Sequence, residues 1–192
     1  MRDYLQSLAI LAAVEMPFER PSGSHWEEAE RTFGFAFPED FKRLLGTLGN
    51  GGFGGEADIA GELTLLNPAS SSPAMVLTPE NVLRWHECIH EDAAKLRFPL
   101  FPEPHGFVVV GSTGNRMHLL IESGVVDRPT YQVLWLDIDA EMAHRLDMTL
   151  CRFIYDLFHG LIGESWAEEL RGLIWENHGP FYVSRPGLRT VR

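Results

Sequence analysis

Apolar positions return at helical spacing twice between Ser24 and Gly49, first as Trp26, Ala29 and Phe33, then as Phe41, Leu44, Leu45 and Leu48. Residues three or four apart share a helix face, so these sets predict two amphipathic helices, each burying one stripe. Ser24 with Glu27 three residues later has the capping-box pattern, which predicts that the first helix begins at His25. Pro38 suits the first turn of the second helix, where its missing N–H has no intrahelical partner to lose. Gly49 ends the run, and the glycines around Phe53 predict a loop.

The pattern continues on both sides of this pair. Leu8 to Val14 is a short apolar run that predicts an N-terminal helix, broken from the next by Pro17 to Gly23. It is far shorter than the roughly 20 residues that cross a bilayer, and Asp3 precedes it, so neither a membrane span nor a secretory leader is expected. Glu62 to Asn67 alternates weakly and predicts a strand closed by Pro68. Thr78-Pro79 opens a helix carrying Val82, Leu83, Trp85 and Ile89. The period then shifts from helix to strand. Phe107–Gly111 and Met117–Glu122 predict an antiparallel hairpin, and Gln132–Asp137 a further strand. Asp147 is placed to cap a helix with Leu150, Phe153, Ile154, Leu157, Phe158 and Leu161 on one stripe, closed by Gly163. Ser165 and Glu168 form a second capping-box pattern before Trp166, Leu170, Leu173 and Ile174. Phe181 to Ser184 reads as a short strand, and Arg185, Arg189 and Arg192 make the tail basic. N-terminal helices, a central antiparallel β-sheet and C-terminal helices define an α+β fold.

Charge narrows the partners. The net charge of −11 over 192 residues disfavours nucleic acid and anionic membrane surfaces and suits a basic protein. Between Gly51 and Ala94, Glu56, Asp58, Glu62, Glu80, Glu87, Glu91 and Asp92 face Arg84 as the only arginine or lysine, and Asp137, Asp139, Glu141 and Asp147 form a second acidic group. If the loop after the second helix meets the connection after the Trp135 strand, the two groups make one acidic patch. Phe53 would be an exposed aromatic anchor within it. Two cysteines, Cys88 and Cys151, indicate a reducing compartment, and the expected location is cytoplasmic.

Three motifs carry possible chemistry. His86-Glu87-Cys88-Ile89-His90 matches H-E-x-x-H, in which two histidines at i and i+4 share a zinc ion and the glutamate polarises water. Glu91 and Asp92 follow at once and no third ligand stands out beyond Glu103 or His105, so solvated histidines on a surface helix are the expectation and a zinc hydrolase the alternative. Gly49 to Gly54 matches G-x-G-x-x-G, but a helix precedes it and acidic residues follow, the reverse of a dinucleotide site. Cys151 near a helix start is the third, as a thiol whose pKa a helix N-terminus could lower. No cofactor is expected.

The ordered series from the Trp26 helix through Pro38, the Leu44-Leu45 helix and the Gly49 loop to the Val109–Glu122 strand pair, Trp135-Leu136-Asp137 and the Met148–Gly163 helix resembles the SUKH superfamily, the Smi/Knr cell-wall regulators and bacterial toxin-immunity proteins. Arg116 and Met117 after Asn115 depart from the acidic pair common there. The resemblance implies a SUKH-like domain over residues 24–163, with a helical extension at 1–23 and a helical extension and basic tail at 164–192. It also implies a non-enzymatic binder of a basic toxin domain of nuclease or deaminase type, or a regulatory protein without a toxin. The expected binding face is Phe53, Glu56, Asp58, Glu62, Asp137 and Asp139.

Overall fold

A computed structural model of the chain describes residues 3–12, 17–53, 63–113, 117–124, 130–139, 141–178 and 182–184. The helices are α1 (Tyr4–Ala12), α2 (Gly23–Phe33), α3 (Glu39–Leu48), α4 (Pro79–Leu96), α5 (Leu150–Phe158) and α6 (Ser165–His178). The strands are β1 (Gly51–Phe53), β2 (Leu63–Leu65), β3 (Phe107–Ser112), β4 (Met117–Glu122), β5 (Tyr131–Asp137), β6 (Met142–Met148) and β7 (Tyr182–Ser184). They form one 7-stranded sheet in the order β6-β5-β4-β3-β2-β1-β7, with every neighbouring pair antiparallel. The fold is α+β, as the pattern predicts.

The first two amphipathic stripes are buried as the spacing requires: Trp26, Ala29 and Phe33 on α2, and Phe41, Leu44, Leu45 and Leu48 on α3. Their aromatic rings pack on one another, with Trp26 at 5.6 Å from Phe41 and Phe33 at 5.2 Å from Phe37. The start of α2 differs from expectation. Its N-cap is Ser22, and the His25 ring accepts from the Ser22 N–H at 3.1 Å, doing the work assigned to Glu27. The side chain that reaches back is an imidazole, which the acidic form of the pattern does not anticipate. Pro38 is the N-cap of α3.

Gly49 ends α3 at φ +76, and a Cβ there would lie 2.3 Å from the Phe18 carbonyl oxygen. This close passage lets the Asn50 N–H donate to Phe18 O at 2.8 Å and turns the chain directly into β1. The glycine segment is therefore a strand at Gly51–Phe53, lying between β2 and β7, where a loop was expected.

Downstream, the hairpin of β3 and β4 forms with a bulge between Val109 and Gly111. α4 covers one face of the sheet, where Trp85 meets His118 of β4 edge-on at 5.4 Å. α5 covers the other, where Phe153 stacks on Trp135 of β5 at 6.4 Å. β6 was not foreseen. It occupies Asp147, the residue expected to cap the next helix, and Thr149 is the cap instead, its side chain accepting from the Arg152 N–H. That helix ends at Phe158, so Leu161 is 58% exposed and not part of the buried stripe. α6 already includes Ser165, and Trp166 lies over Trp135 at 6.5 Å. Leu8 of α1 is fully buried in the core, and β7 pairs with β1 in the sheet.

A candidate acidic interface

α4 buries Val82, His86, Ile89 and Ala93, one side of the helix. The same geometry turns Glu87, His90 and Glu91 outward, because they fall between the buried positions. On the far wall, the turn between β5 and β6 carries Asp139 and Glu141, with Glu141 held in the left-handed region at φ 50. Together these elements enclose a cleft of about 460 Å³ lined by Glu87, Cys88, His90, Glu91, Asp92, Ile138, Asp139 and Glu141. Its floor includes Ile138 and the largely buried Asp92.

Lys95 ties the two walls together. Its Nζ lies 3.0 Å from Glu141 Oε1 and 3.8 Å from Asp92 Oδ1. The hydrogen bond it donates to Glu141, then the charges of Glu141, Asp92 and Glu91, raise its pKa, so it stays an ammonium. Among the described residues, one lysine therefore faces the five carboxylates of the cleft lining, which carry the excess charge. A low-dielectric wall beside clustered charge of one sign concentrates the field, attracts cationic side chains and speeds their encounter.

Glu87, Glu91 and Asp92 of the first acidic sequence group meet Asp139 and Glu141 of the second, through α4 and the β5–β6 turn; beyond Phe53 the loop after the second helix, on which the single patch depends, lies outside the described residues. Of the expected binding residues, Asp139 lies in the cleft. Asp137 ends β5 on the opposite side, near His144, whose pKa its charge helps to raise against the lowering effect of burial. Glu56, Asp58 and Glu62 lie outside the described residues. Phe53 is corrected outright: it is 0% exposed, and its ring packs 5.1 Å from Phe158 of α5. A strand between two others, with a helix over it, has no free aromatic to offer a partner. Glu87, Glu91, Asp92 and Glu141 belong to the site although only their charge, and not their meeting, was legible.

The histidines of the H-E-x-x-H motif are likewise not two solvated neighbours. His86 is 5% exposed, with Nδ1 3.0 Å from the Phe101 carbonyl oxygen. A carbonyl only accepts, so Nδ1 carries the proton and Nε2 is the bare nitrogen, buried with no hydrogen-bond partner among the described residues. Burial lowers its pKa to about 4, against the smaller raising effect of the Phe101 bond. His86 thus anchors the connector after α4 to the helix, while His90 lines the cleft with Nδ1 3.1 Å from the Glu87 carbonyl oxygen. Among the described residues no group of three or more His, Cys, Asp or Glu is arranged to hold a metal ion. The glycine motif leads from α3 into β1, and among the described residues no helix N-terminus follows it before β2 to receive a phosphate. Cys151 is buried, and its thiol pKa is pushed well up, first by burial and then by Asp40, the reverse of an activated nucleophile.

These features define an α+β protein with an acidic cleft at one end of its sheet, and among the described residues no helix is long and apolar enough to cross a membrane. A family model described as SMI1-KNR4 cell-wall matches residues 1–62, from α1 to β1, so this part of the chain is similar to that family. The match ends before α4, so the cleft lies beyond it. No curated protein matches the chain.

Proposed function

We propose that this protein is a non-enzymatic binding module whose acidic cleft receives a basic protein partner, and that the partner is a toxin domain acting on nucleic acid. The observation that carries this reading is the convergence of Glu87, Glu91, Asp92, Asp139 and Glu141 on one cleft. A surface that binds phosphodiesters must be basic, and an acidic cleft covering that surface competes directly with the nucleic acid. Neutralisation then follows by occlusion, with no bond made or broken. A SUKH-type protein of immunity character fits this role, and a cytoplasmic location suits it because the producing cell is what needs protection.

The test is affinity capture of the tagged chain from its native cells at low and high salt, alongside a Glu87→Lys/Glu91→Lys variant. The expected result is a basic partner captured at low salt, weakened by added salt and lost in the variant, whose thermal stability is unchanged. A partner held equally by the variant would remove the cleft from the interface. Capture of a partner with no activity on nucleic acid would favour the regulatory reading.

A further inference from the structure

Among the described residues, β6 is the outermost strand on its side of the sheet and is paired only on its β5 side. It is also long and regular. Seven consecutive residues, Met142 to Met148, pair with β5 from Tyr131 to Asp137 without a shift in register. Proteins usually blunt such an edge with a proline, a bulge, a very short strand or an outward lysine, because its unpaired N–H and C=O groups recruit other strands. β6 has no proline or lysine, and its ladder has no bulge. Its one arginine is committed elsewhere: Arg145 donates to the Arg97 carbonyl at 3.2 Å and lies over the rings of Phe98 and Phe107 at 5.9 Å and 5.7 Å. His144 is turned onto the other face, stacked on Trp166 at 4.5 Å. Among the described residues nothing pairs with this edge, and Met142 is 43% exposed at the end nearest the cleft.

The surrounding charge selects what could pair there. Asp139 and Glu141 precede the strand, Asp147 is exposed on it, and Glu164 flanks it beside His144, 3.7 Å from the ring. A second copy of a chain with net charge −11 would bring the same carboxylates against one another. An extended segment rich in lysine or arginine would not.

We propose that β6 is the docking edge for an extended basic segment of the partner, which adds to the sheet as its next strand and projects its cationic side chains toward the cleft. This rests on the basic-partner reading above and specifies how it is bound: ladder hydrogen bonds supply affinity, and the carboxylates supply register and sign. The paired backbone would run from the β5–β6 turn toward α5, beside the cleft.

An alternating lysine–valine peptide matched in length to β6 tests it on the full chain. Two further versions carry N-methyl groups on one or the other alternate set of residues, which keeps the charge and removes the ladder donors. The expected result is salt-sensitive binding of the parent, slowed hydrogen exchange of β6 amides but not of β7, and a loss of about tenfold or more for one N-methylated version only. Met142→Lys, at an exposed position, should weaken the parent peptide by repulsion while leaving the fold intact. Equal affinity of all three peptides, abolished by Glu87→Lys/Glu91→Lys, would overturn edge pairing and leave the acidic cleft standing. No binding by any of them would overturn both.

Discussion

The Cys151 N–H, in the first turn of α5, donates to Asp40 Oδ2 of α3 at 3.1 Å. The other oxygen of the same carboxylate accepts from the Tyr131 hydroxyl at 2.8 Å, and that hydroxyl in turn accepts from the Leu150 N–H at 2.9 Å. Two N–H groups that a helix start leaves orphaned are thereby satisfied from α3 and β5. The negative charge also sits at the positive end of the α5 dipole. Three elements distant in sequence are fixed at one point, and this sets the orientation of α5 over the sheet.

Removing that carboxylate strands two donors. Asp40→Ala is expected to cost about 1–3 kcal/mol, and Tyr131→Phe a comparable amount, measured by urea denaturation. Because both changes break the same network, the double variant should lose less than the sum of the two. Strict additivity would show that the residues act separately.

Phe53→Ala opens a cavity between β1 and α5 and should destabilise the chain by about 3–5 kcal/mol. Any loss of partner binding should then track the unfolded fraction and vanish under conditions where the variant is folded. Full thermal stability combined with lost binding would restore Phe53 as an anchor.

His86 makes stability depend on pH. The unfolded ring takes up a proton near its ordinary 6.5, whereas the folded ring resists it until about 4. The folded state therefore has its full stability from this residue above 6.5 and loses it as pH falls toward 4, by about 3 kcal/mol if the whole shift is realised. His144, lowered in the same direction by burial, adds to the slope. Chemical denaturation of His86→Phe across this range should give a flatter profile than the parent; an identical slope would assign the dependence to other groups.

Gly111 has no room for a side chain, since a Cβ would stand 2.8 Å from the Thr64 carbonyl oxygen of β2. Gly111→Ala should force β2 and β3 apart and cost about 1–3 kcal/mol, read from the thermal midpoint. An unchanged midpoint would mean that β2 shifts freely.

The helices were legible where the apolar stripe is clear, as in α2 and α3, and where a boundary signal agrees with it, as at the Thr78-Pro79 start of α4; the start of α2 was misplaced. β6 was not, because an edge strand whose side chains are mostly half-exposed has little apolar alternation and because Asp147 and Thr149 are equally good cap residues by type. His86 was misread as solvated for a related reason. A polar residue on an apolar stripe is recognisable as buried only once its partner, here the Phe101 carbonyl, is known. The charge of the cleft was visible in the sequence. What joins its walls, Lys95 meeting Glu141 across the cleft, is a tertiary contact that no local pattern encodes.

β7 lies beside β1, so the last described strand completes pairing begun by the first. On a ribosome, β1 has no neighbour on that side until residue 184 has left the exit tunnel, long after α2 and α3 can fold. Synthesis must pass residue 184 before β1 is paired on both sides. Prematurely terminated products would retain β1 as an open apolar edge, a form suited to recognition by proteases and chaperones.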